Sequence, residues 1–211
     1  GGIVVVACGA VNSAALLLRS ANDRHRTGLA NRSGVVGRHY MCHVNSVVLA
    51  ISRHANPTVF QKTIAVNDFY YGREPGELPL GHISMVGKSE RVALQAGAPK
   101  FAPGFVLEQM AKHSLDFWLT SEDLPDPENR VQLASDGRIV LDYRPNNLQA
   151  HAGLLRALKR SLAQIGRARG SWFEHNLVLA KRIPIEGVAH QCGTVRFGTD
   201  PTTSALDLHC K

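Results

Sequence analysis

His190 lies in the stretch Gly187-Val188-Ala189-His190-Gln191-Cys192-Gly193-Thr194, where no bulky neighbour shields its imidazole from a ligand. An imidazole titrates near neutrality, so it can take a proton from a hydroxyl and return it, the general-base role in alcohol oxidation. A histidine satisfied structurally in a turn has the same local sequence, and the stretch by itself leaves both readings open. Cys192 could serve as a nucleophile with His190 as its base, although no orienting carboxylate is evident. The spacings His190-x-Cys192 and His209-Cys210 suit zinc poorly, because residues this close in sequence seldom converge on one ion; no metal site is expected. Asp68, Asp116, Glu122, Asp123, Asp126 and Glu128 fall near loops or helix caps, where solvated or capping roles are the default. Gly34-Val35-Val36-Gly37-Arg38 is a Gly-x-x-Gly-Arg turn that reads either as an approach to a cofactor or as a plain loop.

A second chemical context opens the chain. Residues 3–6 are a β-branched run, Ala7-Cys8-Gly9-Ala10 is a tight small-residue turn, and 14–18 is an apolar helical stretch with Asn12 or Ser13 as N-cap. A strand, turn and helix of this kind bring backbone N–H groups close to a phosphate or nucleotide. The opening has neither Met nor a basic region before its short apolar run, so it reads as a strand entered midway rather than a signal peptide.

Composition narrows the classes. The 211 residues are 44% hydrophobic and 19% charged, ordinary for a globular protein with a real core. No apolar run reaches the length of a transmembrane helix. The net charge of +7 is spread along the chain. Its densest group, Arg156, Lys159, Arg160, Arg167 and Arg169, fits a solvated helix face and the loop after it, so no nucleic-acid partner is expected. Four cysteines lie far apart without a Cys-x-x-Cys pair, which predicts reduced, mostly buried thiols.

Other elements must position these residues. Strands are expected at 47–51, 81–86, 115–120 and 194–197, and a short helix at 106–113. Loops are expected at 22–38, 74–79 and 97–104. Arg130-Val131-Gln132-Leu133 and Arg138-Ile139-Val140-Leu141 flank Ser135-Asp136-Gly137, a hairpin signal. Asn146 caps a helix over 147–165, with Leu148, Leu154, Leu155, Leu158, Leu162 and Ile165 at helical spacing.

In this order the pieces resemble the glucose–methanol–choline (GMC) oxidoreductase family. Residues 4–20, Val-Val-Val-Ala-Cys-Gly-Ala-Val-Asn-Ser-Ala-Ala-Leu-Leu-Leu-Arg-Ser, resemble that family's second signature, a strand ending in Ala-x-Gly-Ala beside the FAD. Val36-Gly37-Arg38-His39-Tyr40-Met41-Cys42-His43 resembles its Val-Gly-x-Asn-Leu-x-Asp-His segment, with His39 where Asn is common and Cys42 where Asp is common. Leu124-Pro125-Asp126-Pro127-Glu128-Asn129-Arg130-Val131 resembles the stretch leading into the substrate-domain sheet. Ala189-His190-Gln191-Cys192-Gly193-Thr194, followed by Gly198 and Asp200, resembles the region of the active-site histidine.

The resemblance implies an α+β architecture: part of an FAD-binding α/β domain over 1–43, a substrate domain on an antiparallel sheet with flanking helices over 44–186, and a return to the FAD domain over 187–211. It implies FAD as cofactor, with Ala7, Cys8, Gly9, Ala10 and His43 beside it, and His190 as catalytic base. The substrate would be a small alcohol or sugar whose carbinol hydride passes to flavin N5, with oxygen, a quinone or a cytochrome left open as electron acceptor. The family's Gly-x-Gly-x-x-Gly turn is missing and its second active-site His or Asn would lie beyond Lys211. The chain is therefore expected to be an internal piece of a longer enzyme that by itself binds FAD poorly. The competing expectations are a basic, non-enzymatic binding module and a hydrolase built on Cys192.

Overall fold

The computed structural model describes residues 2–52, 54–59, 62–72, 78–168 and 178–211. The elements run α1 (Gly9–Arg19), β1 (Val44–Ile51), β2 (Ala65–Val66), β3 (His82–Gly87), α2 (Arg91–Gly97), α3 (Gly104–His113), β4 (Ser114–Ser121), β5 (Arg130–Leu133), β6 (Ile139–Asp142), α4 (Leu148–Ala168) and β7 (Val178–Arg182), with a turn of 3₁₀ helix at Ile185–Gly187. This is the α+β mixture that the sequence implied. The contacts divide the chain into two compact units: Gly1–His43, Asp123–Asn146 and Val188–Lys211 make the first, and Val44–Glu122 and Asn147–Gly187 the second.

The second unit is built on a five-stranded antiparallel sheet in the order β2-β3-β4-β1-β7. Strand β4 is its centre, paired with β3 on one side and with β1 on the other, and β1 in turn pairs with β7. Side chains alternate across a strand, so the register gathers Val48, Ala50, Ile83, Met85, Phe117 and Leu119 on one face. Helix α4 lays Leu154, Leu158 and Leu162, four residues apart, on that face.

One histidine joins the helix to the sheet through polar contacts. His151 of α4 is 7% exposed, and its two ring nitrogens meet Ser46 Oγ at 2.7 Å and Ser121 Oγ at 3.0 Å. Ser121 Oγ donates to the Leu80 carbonyl at 2.6 Å. Its lone pairs therefore accept from His151 Nδ1–H, and Nε2 accepts from the Ser46 hydroxyl, which assigns the neutral Nδ1–H tautomer. Burial, and then the charge of Arg182, push the His151 pKa below its ordinary value of 6.5. The unfolded chain therefore binds this proton more readily than the folded one. The associated stability is complete above about pH 6.5, falls as the pH drops through the interval below it, and levels off under the folded-state pKa. Urea midpoints at neutral and acidic pH should differ less in a His151→Gln variant than in the parent; equal pH dependence would remove His151 as a source.

The first unit has a smaller apolar interior, with Ala14, Ala15, Val36, Tyr40, Cys42 and Val131 buried. Helix α1 lies against β5, and β5 pairs with β6 as a two-stranded sheet of its own. The segment 124–131 thus leads into this hairpin rather than into the five-stranded sheet. Several other expectations are corrected. Residues 3–6 form no strand: Ile3, Val4 and Val5 are at least 80% exposed, and no backbone ladder among the described residues engages them. Helix α1 begins at Gly9, so Asn12 and Ser13 lie inside it rather than capping it. In place of a strand over 194–197 there is a turn with one parallel bridge between Phe197 and Leu206. Of the cysteines only Cys42 is buried, whereas Cys8, Cys192 and Cys210 are exposed. Asp116 and Asp123 are buried rather than solvated; they accept the backbone N–H of Ser89 and of Asn146. Most of the loop expected at 74–79, and Arg169, lie outside the described residues.

Among the described residues no helix is long and apolar enough to cross a membrane. Nor is any group of three or more His, Cys, Asp or Glu placed to share a metal ion.

Candidate functional site

Three segments far apart in sequence meet inside the first unit. The backbone of Cys192 pairs with that of Met41 through two hydrogen bonds of 3.0 Å, an isolated antiparallel bridge. Two residues beyond each bridge position stand the imidazoles. The rings of His43 and His190 are 4.9 Å apart, centroid to centroid, and nearly perpendicular at 86°. His190 is exposed and takes φ of 61°, a left-handed backbone that turns the chain immediately before the bridge.

The third segment is the start of α1. The Thr194 hydroxyl donates to the Ala10 carbonyl at 2.7 Å, and the Thr194 carbonyl accepts from Gly37 N–H at 2.7 Å. The Gly37 carbonyl in turn accepts from Val131 N–H at 2.7 Å. Two glycines permit these approaches. A Cβ at Gly37 would stand 2.2 Å from the Val131 carbonyl oxygen, and one at Gly193 would stand 1.9 Å from that of His39. Both have left-handed φ, +88° and +93°.

The turn Ala7-Cys8-Gly9-Ala10 is open. Ala7, Cys8 and Gly9 are exposed, and a Cβ at Gly9 would meet nothing within 4 Å. Cys8 occupies the N-cap of α1 without a side-chain cap bond, and the first turn carries no acidic residue. Cys8 N–H instead donates to Ser13 Oγ at 3.1 Å, which ties the turn back on the helix. An uncapped, 11-residue helix start without carboxylates is suited to an anionic or carbonyl-bearing group such as a flavin nucleotide. The residues present therefore fit the implied FAD at this turn.

Tyr40, Cys42 and Asp123 are buried and interact with the half-buried Tyr143. The Tyr40 and Tyr143 rings meet edge to face at 5.3 Å. Burial pushes both phenols above their ordinary range and raises the Cys42 thiol. The buried Cys42 thiol is thereby less disposed to ionise than an exposed one. His39 also has left-handed backbone, φ 59°. Asn and His are over-represented in that region among residues with a side chain, so His can stand where the resemblance has Asn. Burial, then the charges of Arg196 and Arg38, lower the His39 pKa.

A cavity of about 440 Å³ in the first unit lies elsewhere. Arg32, Ser33, Thr199, Ser204, Asp207 and Lys211 are among its lining residues, and His190 is not.

No family model matches the chain. It is similar to paromamine 6'-oxidase of Streptomyces fradiae, 33% identical over 96% of this chain and 37% of that protein. It is also similar to 6'''-hydroxyparomomycin C oxidase of Streptomyces lividus, 28% identical over 97% of this chain and 37% of that protein. The fructose dehydrogenase large subunit of Gluconobacter japonicus is 26% identical over 65% of this chain and 26% of its own length. These relatives are oxidoreductases, and the chain spans a little over a third of the length of the first two.

Sequence reasoning singled out Ala7, Cys8, Gly9, Ala10, His43 and His190. The structure brings Ala10 into the same hydrogen-bonded assembly as the His190 segment and sets His43 against His190. It adds Gly193, Thr194, Gly37 and Ser13, which have no chemistry of their own. The sequence offers Ser13 as an N-cap and Gly37 as part of a Gly-x-x-Gly turn, and neither signal points to these contacts.

Proposed function

We propose that this chain is part of a flavin-dependent oxidoreductase of the GMC type that oxidises the CH–OH group of an alcohol or sugar. The observation that carries this reading is the exposed His190 imidazole, on a segment hydrogen-bonded to an open, uncapped helix-start turn and lying beside His43. The similarity to oxidases and a dehydrogenase whose names include hydroxyparomomycin and fructose supports a hydroxyl-bearing substrate.

In this reading the backbone of Ala7, Cys8, Gly9 and Ala10 lies against the cofactor and His43 flanks it. Bound FAD would supply the two-electron acceptor, taking the carbinol hydride at N5. His190 accepts the hydroxyl proton as the C–H bond breaks, so the substrate leaves as the carbonyl compound and the proton resides on the imidazole. The exposed position of His190 gives a substrate access to it, and the edge contact with His43 limits its ring orientations. Residues 1–43 and 187–211 belong to the cofactor side in this proposal, and the unit carrying the five-stranded sheet to the substrate side.

The test is product identification. A polypeptide of the relatives' length that contains this chain should purify with flavin and convert a sugar or primary alcohol to the aldehyde or ketone. A flavin-free preparation that hydrolyses esters and is silenced by thiol alkylation would instead select the Cys192 hydrolase.

A further inference from the structure

Among the described residues the His190 segment has few attachments of its own. Upstream of the bridge at Cys192, residues 188–191 contribute no backbone hydrogen bond among the described residues to the turn-and-loop network of the first unit. Downstream, Thr194 is 1% exposed and is the direct link to the helix-start turn. Its two polar groups face different segments: the hydroxyl reaches Ala10, and the carbonyl reaches Gly37 and through it Val131. Ala10 belongs to the first turn of α1, two residues after the Cys8 N-cap. The path from that turn to the imidazole is thus one side-chain hydrogen bond and four residues of backbone.

We propose that Thr194 is a positioning residue: its hydroxyl bond to the Ala10 carbonyl sets where the His190 imidazole stands relative to the 7–10 turn and to His43. The inference deepens the oxidoreductase reading and rests on it for the consequence in catalysis, but the geometry it predicts is independent of any cofactor. Valine in place of Thr194 fills the same volume and leaves the half-buried Ala10 carbonyl without this donor. The segment then keeps the Met41–Cys192 bridge but loses its tie to α1, and the ring contact 4.9 Å away at His43 and His190 loosens. Serine keeps the hydroxyl and gives up only the methyl group.

The experiment is a comparison of histidine ring resonances by NMR in the 211-residue chain. Perpendicular rings this close displace each other's ring-proton shifts. Thr194→Val should abolish that displacement at His43 and His190, Thr194→Ser should retain it, and the buried His151 of the second unit should be unchanged in both. Parent-like His43 and His190 shifts in Thr194→Val overturn the proposal. So does loss of the displacement in Thr194→Ser, which would assign the effect to the methyl group. If Thr194→Val does not fold, Thr194→Ala repeats the test without a buried methyl against the carbonyl. Loss of the whole first unit in both would make the residue a general fold determinant and overturn positioning.

In the longer flavoenzyme, Thr194→Val should lower kcat by roughly tenfold to a hundredfold with little change in KM, the size of effect expected for a displaced reacting group. Thr194→Ser should restore it, and a parent-like kcat in Thr194→Val again contradicts the proposal. Should that polypeptide contain no flavin, the oxidoreductase reading fails while the NMR outcome still decides the role of Thr194.

Discussion

Replacing His190 should lower turnover of the oxidoreductase by about a hundredfold or more, the usual contribution of a positioned general base. Asparagine is the informative replacement. His190 is exposed and has φ of 61°, so alanine would add backbone strain to the chemical loss, whereas asparagine tolerates that conformation and cannot accept the proton. Because the side chain is on the surface, His190→Asn should leave the unfolding midpoint nearly where it is. A large fall in kcat with unchanged stability is the expected pair of results, read from steady-state kinetics and urea unfolding. Unchanged kcat would take His190 out of the mechanism.

Gly193→Ala should have the largest effect on structure. The added Cβ would stand 1.9 Å from the His39 carbonyl oxygen, and the backbone there has φ of +93°. The obstacle is main chain, which cannot rotate out of the way as a side-chain end could. Overpacking and left-handed strain together come to about 3 kcal/mol or more. The bridge between Met41 and Cys192 should break, taking the His43–His190 contact with it. Amide exchange should show lost protection at residues 37–43 and 192–194, with the β1–β4 ladder of the second unit still protected. Protection equal to the parent at Met41 and Cys192 would contradict this account of the glycine.

Elements that carry their own apolar periodicity were legible in the sequence, and those defined by partners were not. The leucines of 147–165 recur at helical spacing, and α4 covers Leu148–Ala168. The Asp-Gly turn marked the hairpin of β5 and β6, found at Arg130–Leu133 and Ile139–Asp142. By contrast, α2 buries no residue, so it has no apolar stripe to read. Strand β7 has one half-buried residue followed by four exposed ones, and it exists because β1 offers it a free edge. The error at residues 3–6 is the same point reversed, since a β-branched run favours extension but is a strand only when another backbone pairs with it.

The site divides in the same way. His190 was visible because a histidine among small residues invites a chemical question, and the resemblance supplied an order for the segments. The reason those segments meet was not visible. Thr194 and Ser13 act through single hydrogen bonds to residues 184 and 5 positions away, and Gly37 and Gly193 act through the absence of a side chain. Nothing in spacing or composition identifies the partners these residues meet. Cys42 is buried as expected of an unpaired thiol, whereas Cys8, Cys192 and Cys210 are exposed because the segments that carry them lie on the surface.

The central claim is that this chain contributes a base and a cofactor-facing turn to a flavin-dependent CH–OH oxidation. The most direct measurement is anaerobic mixing of a sugar or alcohol substrate with the purified polypeptide that contains it, followed by the flavin absorbance. The account predicts that the flavin band bleaches in a single turnover, and that in His190→Asn the bleaching is slower by about a hundredfold at equal flavin content. Product formed without bleaching, or bleaching at the parent rate in His190→Asn, would contradict it.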